Sequence, residues 1–305
     1  MRVKEILMSD KMLAKNYLVI GNSYLEEGNL LKAKKFFRRA YQADPTNIDV
    51  LYEFALMCAE NNFTDQALAY YDEIIKLDAT QAGAHYGKAI IYDDIGDDDQ
   101  AEMNYKEALV HDKEYYHAYL YLADIYDRKE DYDTAETYYI KAIEVNPYNV
   151  WGHVNFGSFL EMRDRNEEAL EKLKSADDLV PGHYMILFNL GVVYKKLSMI
   201  DKAILAYEDA IEANLKHPYS FLNLAVIHKE AGRFQQALHV LSRAVKYNDG
   251  VSVLYYNRAI MLTLLGHYEL AKENLIQAIE LSPSLRSYAL KDEEFKALFD
   301  YEEFL

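Results

Sequence analysis

Alanine recurs every 34 residues along this chain, at Ala33, Ala67, Ala101, Ala135, Ala169, Ala203, Ala237 and Ala271. With Ala at about one residue in ten, eight consecutive hits arise by chance about once in 10⁸. A fixed period of this size means a tandem array, in which one supersecondary unit cannot bury its apolar face alone and stacks on its neighbours. Fold class and the meaning of every other residue follow from that phase.

Counting from Ala14 puts the recurring Ala at position 20. The units are then 14–47, 48–81, 82–115, 116–149, 150–183, 184–217, 218–251 and 252–285, with an N-terminal extension 1–13 and a tail 286–305. Position 8 is Gly or Ala throughout (Gly21, Ala55, Ala89, Ala123, Gly157, Gly191, Ala225, Ala259), and position 24 is always large (Phe37, Tyr71, Tyr105, Tyr139, Leu173, Tyr207, Leu241, Leu275). Small residues at 8 and 20 let two helices approach closely, and the large one at 24 fills the wedge between one helix pair and the next. Apolar or small residues at 4, 7, 8 and 11, and again at 20, 24 and 27, form two helical stripes per unit, so the fold class is all-α. Gly28, Gly96, Gly232 and Gly266 mark the turn between them, as suits a helix C-terminus. Pro45, Pro147, Pro181 and Pro283 share position 32 and stop the second helix.

In these columns the chain resembles the tetratricopeptide repeat (TPR) family. Leu187, Leu190, Gly191, Tyr194, Ala203, Tyr207 and Ala210 of the sixth unit fall where that family places its signature residues. The resemblance implies a right-handed superhelical solenoid of eight helix-turn-helix repeats plus a C-terminal capping helix. It also implies that the first helix of each unit lines a concave groove through positions 2, 5, 6, 9, 12 and 13, and that the protein is non-catalytic and binds other polypeptides.

The unbroken phase leads us to expect one continuous array. Met1 to Leu13 lacks the apolar core of a signal peptide, and no stretch approaches a membrane span. The single cysteine, Cys58, falls at position 11 beside siblings Tyr24, Tyr92, Tyr126 and Tyr194, which predicts a buried structural thiol in a cytoplasmic protein. No nucleophile elbow, zinc-protease helix, phosphate loop or dinucleotide fingerprint occurs. His183 and His217 share position 34 but have no Cys or Asp support, so neither metal nor cofactor is expected.

Residues 41–140 hold 23 acidic and 6 basic side chains, a balance of −17 that equals the net charge of the whole chain. This belt argues against nucleic acid and against anionic membranes as main partners. With the family's mapping, Glu53, Glu60, Asp93, Asp94, Asp124 and Asp127 face the groove in units 2 to 4. They either steer a basic segment of a partner or simply solvate the surface. The run from Asp93 to Asp99 lacks the alternating ligand spacing of a calcium loop; its acids suit a helix N-terminus instead.

Position 6 reads Asn155, Asn189, Asn223 and Asn257 in units 5 to 8, after Val19, Glu53, Gly87 and Tyr121. A carboxamide donates and accepts, so one Asn can hold a peptide unit of any sequence. With lining helices roughly 10 Å apart and an extended chain advancing about 3.3 Å per residue, one Asn meets every third residue. The column resembles the asparagine ladder in the TPR region of O-linked N-acetylglucosamine transferases, and Asn at this position also occurs in ordinary TPR units. Trp151, Met185 and Tyr219 at position 2, with Phe188 and Leu222 at position 5, extend an apolar strip beside it; Tyr256, Val192, Val226 and Ile260 are further members or core contacts. Position 5 never carries the Lys of chaperone-binding TPR clamps. In the tail, Phe295, Leu298 and Phe299 are spaced to cover the open end of unit 8, with Glu293, Glu294, Glu302 and Glu303 toward water.

The expected function is a non-catalytic adaptor holding an extended peptide in the groove of the C-terminal repeats. The alternatives are an assembly scaffold acting through its convex face or by self-association, and a regulatory subunit of an enzyme.

Overall fold

The two stripes of each unit fold as two helices joined by a tight turn. The computed structural model describes residues 2–301, with side chains from Asp10 to Asp300, so Glu302 and Glu303 lie outside the described residues. The pairs are α1 (Arg2–Glu26) with α2 (Leu30–Ala43), α3 (Ile48–Glu60) with α4 (Thr64–Leu77), α5 (Ala82–Asp94) with α6 (Asp98–His111), and α7 (Tyr116–Arg128) with α8 (Tyr132–Val145). They continue as α9 (Val150–Glu161) with α10 (Asn166–Leu179), α11 (Tyr184–Lys196) with α12 (Ile200–Ala213), α13 (Pro218–Glu230) with α14 (Phe234–Tyr247), and α15 (Ser252–Leu264) with α16 (Tyr268–Leu281). Among the described residues every regular element is helical, giving an all-α repeat fold. The extension before Ala14 is the start of α1. No described helix is long and apolar enough to cross a membrane.

Each first helix ends in the same way. Position 15 has a left-handed backbone in all eight repeats, at Gly28, Asn62, Gly96, Glu130, Asp164, Ser198, Gly232 and Gly266. The next N–H reaches back to the carbonyl at position 11, as from Asp97 to Tyr92 and from Met199 to Tyr194, both 2.8 Å, and so satisfies a helix-end acceptor. The sequence marks only the four glycines. A side chain in this conformation carries a steric cost that Gly avoids, so Ser198→Gly is expected to stabilise the fold by about 0.5–1 kcal/mol. An unchanged or lowered urea midpoint would contradict this.

Packing follows the small and large columns, with one addition. A Cβ on Gly21 would come within 2.3 Å of the Phe37 ring, and one on Gly191 within 2.6 Å of the Tyr207 ring, so the large residue at 24 lies directly on position 8 of its own repeat. The same ring also meets the next repeat: Phe37 against Phe54 at 6.3 Å, and Tyr105 stacked on Tyr121 at 5.4 Å. Position 24 therefore joins helices within a repeat as well as between repeats. Cys58 is buried beneath this packing, and burial pushes its thiol pKa up, so it is an inert core group.

The chain divides into two compact units, Met1–Pro147 and Tyr148–Leu305. The uninterrupted phase of the sequence gives no sign of that division. The tail is not one helix: α17 (Leu285–Ala289), a 3-10 turn (Glu293–Phe295) and α18 (Lys296–Tyr301) follow in succession. Asp292 makes the break by accepting the Glu294 N–H on its carboxylate at 3.0 Å. Phe295 and Leu298 are fully buried in the core cluster of the last repeats, and Phe299 packs half-buried against it. Glu293 is exposed, but Glu294 is paired with Lys229 at 2.5 Å.

Candidate functional site

The Asn column lies on the first helices α9, α11, α13 and α15, and all four side chains are half-buried. Their chemistry divides them. Asn223 donates to the Tyr207 hydroxyl at 3.2 Å, and Asn257 donates to the Val253 carbonyl one turn back in its own helix at 2.9 Å. Both amides keep an acceptor oxygen, but each already serves the fold. Asn155 and Asn189 make no side-chain hydrogen bond among the described residues. The cause at Asn189 is local: the preceding repeat has Leu173 where Asn223 finds Tyr207, and a cavity of about 120 Å³ lined by Leu173, Phe188 and Asn189 stands there.

Beside the column runs a chain of aromatic groups. Trp151 meets His183 edge-on at 5.3 Å, His183 stacks on Tyr184 at 4.9 Å, Tyr184 meets His217 at 5.2 Å, and His217 meets Tyr219 at 5.9 Å. Trp151 (43%), Met185 (38%) and Tyr219 (57%) expose large apolar surface. Phe188 and Leu222 lean into the core cluster and are only half-buried, whereas Ile260 is buried in the same cluster as Phe295. Tyr256 is taken by the tail: its hydroxyl donates to Asp292 at 2.8 Å and its ring meets Phe295 at 5.2 Å. His183 and His217 serve this strip. His183 accepts the Met185 N–H on Nδ1 at 3.3 Å, and His217 Nδ1 shares a 2.8 Å hydrogen bond with Ser220. Burial pushes the His217 pKa down, which keeps the ring neutral near pH 7. Among the described residues no group of three or more His, Cys, Asp or Glu is placed to hold a metal.

The six acids of repeats 2 to 4 also separate. Asp93 is paired with Arg128 at 2.5 Å, and the same guanidinium holds Asp98 at 2.6 Å. Asp124 accepts the Tyr139 hydroxyl, and burial pushes its pKa up. Asp127 is engaged as well. Glu53 is half-buried, and burial also raises its pKa. Only Glu60 and Asp94 stand exposed. Of the acidic run, Asp97 caps α6 by accepting the Gln100 N–H at 3.1 Å, and Lys129 holds Asp99 at 2.9 Å, so these carboxylates belong to the helix end and to the next repeat.

The family profile described as a tetratricopeptide repeat matches residues 14–47, 116–149, 186–217 and 253–285, in phase with the alanine columns. The chain is a tetratricopeptide repeat protein. No curated protein matches its sequence. Among solved structures, Pseudomonas aeruginosa pilF is 20% identical with a TM-score of 0.58, over 69% of this chain and 97% of that one. The Cut9-Hcn1 hetero-tetramer of the APC/C is 16% identical with a TM-score of 0.58, over 94% of this chain and 57% of that one. YrrB, described as a TPR protein with an unusual peptide-binding site, is 25% identical with a TM-score of 0.49, over 60% of this chain and 95% of that one. The first two likenesses establish the fold. TPR proteins bind other proteins, and that is the general role of this one.

Two features of this TPR protein escaped the column reading. The histidines that bridge Trp151, Tyr184 and Tyr219 were visible as a shared position 34, but their aromatic neighbours are set by folding. The difference between Asn189 and Asn223 follows the residue at 24 in the repeat before, Leu173 against Tyr207, whereas the Tyr139 hydroxyl before Asn155 is given to Asp124 and Asn257 bonds within its own helix.

Proposed function

We propose that this TPR protein is a non-catalytic adaptor whose C-terminal repeats hold an extended segment of another polypeptide. The observation that carries the reading is the pair of uncommitted carboxamides, Asn155 and Asn189, on α9 and α11 beside exposed Trp151 and Met185. The amides take the backbone of the segment, and the aromatic strip takes its apolar side chains. Asn223 and Asn257 act mainly as packing groups.

Affinity capture from the native lysate, followed by titration of the captured partner, tests this. Asn155→Ala combined with Asn189→Ala is expected to weaken the partner by about tenfold to a hundredfold, since each lost peptide hydrogen bond is worth about 0.5–1.5 kcal/mol. Asn223→Ala with Asn257→Ala should weaken it less and lower thermal stability instead. Unchanged affinity in a folded Asn155/Asn189 variant would remove the reading.

The rival surface is the outer one. A cavity of about 840 Å³ lies between α12, α13 and α14, lined by Glu208, Glu212, His228, His239 and Arg243. A scaffold working through that face would lose its partner on His239→Trp and keep it in the Asn variants.

A further inference from the structure

The third repeat differs from the others in having glycine at both positions 2 and 6, Gly83 and Gly87. Elsewhere these places carry pairs such as Asp49 with Glu53, His117 with Tyr121 and Met185 with Asn189. With both side chains missing, a cavity of about 620 Å³ opens between α3, α4 and α5. A Cβ on Gly87 would lie 2.3 Å from the Tyr71 ring, and one on Gly83 would lie 3.0 Å from the Tyr52 hydroxyl, so any side chain here would fill the space.

The lining is of two kinds. Tyr52, Tyr71, Tyr86 and Tyr115 form an aromatic wall, with Tyr52 edge-on to Tyr71 at 6.1 Å and Tyr86 against Tyr115 at 4.7 Å. Leu56, Ile90 and Ile91 add apolar surface. The mouth carries Glu60 and Asp94, two exposed carboxylates with no ion pair among the described residues, and the lining contains no basic residue. Burial raises the hydroxyl pKa of Tyr52 and of Tyr71 to about 12, so the wall stays neutral and the negative charge is held at the mouth.

We propose that this cavity receives an arginine side chain from a basic segment of a partner protein. Aromatic faces attract a cation through their quadrupole, and the attraction grows when water is excluded. The guanidinium is planar and weakly hydrated, so it stacks on tyrosine where an ammonium would keep its water, and its fork meets carboxylates bidentately. The apolar stem lies along Leu56 and Ile90. The surplus of acid over residues 41–140 steers such a segment from a distance. This site is separate from the Asn strip, which belongs to the other compact unit.

Fluorescence anisotropy with labelled hexa-arginine, hexalysine and hexaglutamate on the full chain tests the proposal. Hexa-arginine is expected to bind, hexalysine to bind more weakly, and hexaglutamate not to bind. Gly83→Met fills the cavity without changing charge, and Leu56→Lys places an ammonium at its mouth from a side chain that is already 48% exposed. Each should weaken hexa-arginine by about tenfold. The second variant serves if the first unfolds. Asn155→Ala with Asn189→Ala should leave hexa-arginine untouched, so failure of this site and failure of the amide strip are distinguishable. Equal affinity of hexa-arginine for a folded Gly83→Met or Leu56→Lys protein, or equal binding of hexalysine, would overturn the proposal and leave only the diffuse field of the acidic repeats.

Discussion

Replacing Tyr207 by Ala is expected to destabilise the unit Tyr148–Leu305 by about 3–5 kcal/mol, the range for removing a fully buried aromatic ring. The ring is 1% exposed, covers Gly191 of its own repeat, meets Phe188 at 5.9 Å and offers its hydroxyl to Asn223 of the next repeat. Its loss opens a cavity and leaves an amide donor without its partner. Tyr207→Phe separates the two effects, since it keeps the ring and removes only the hydrogen bond, at about 0.5–1.5 kcal/mol. The sole tryptophan, Trp151, lies in this unit, so its fluorescence during urea unfolding reads both variants. A loss below about 1 kcal/mol for Tyr207→Ala would show that the neighbouring helices close the gap unaided.

Phe295→Ala is the second large effect, again at about 3–5 kcal/mol. Phe295 is completely buried in the cluster that contains Leu254, Ile260 and Leu275, and it holds the broken tail against α15. Without it, the apolar end of the eighth repeat is uncovered, and an open repeat end invites association. The expected result is a lower urea midpoint together with a concentration-dependent rise in sedimentation. Lys229→Ala breaks only the pair with Glu294, whose two side chains are about a third exposed, and should cost no more than about 1 kcal/mol. A stable, monomeric Phe295→Ala protein that had lost one partner would instead identify the tail as a docking motif.

The repeat fold was legible in the sequence because its columns are packing rules. Small at 8 and 20 with large at 24 is a statement about distances between helices, and Gly191 under Tyr207 realises it. Capping was legible at Asp97 for the same reason, since the interaction is local. Three things were not. The left-handed turn at Glu130 and Ser198 is imposed on residues that do not favour it, so composition could not announce it there. The broken tail is capped locally by Asp292 but held in place by contacts from residues distant in the chain, Tyr256 to Asp292 and Lys229 to Glu294. The candidate sites depend on which side chains find partners. Six acids share one predicted face, yet pairing with Arg128 and Tyr139 removes Asp93 and Asp124 from it.

The hydrogen bond between Asn223 and Tyr207 has a wider consequence. The Tyr207 hydroxyl, carried by a ring whose duty is to wedge helices together, occupies the amide of Asn223, while Asn189, which follows Leu173, stays idle. Recognition in these two repeats can thus be edited from the interior: Leu173→Tyr would silence Asn189 and Tyr207→Phe would release Asn223, with neither amide itself altered.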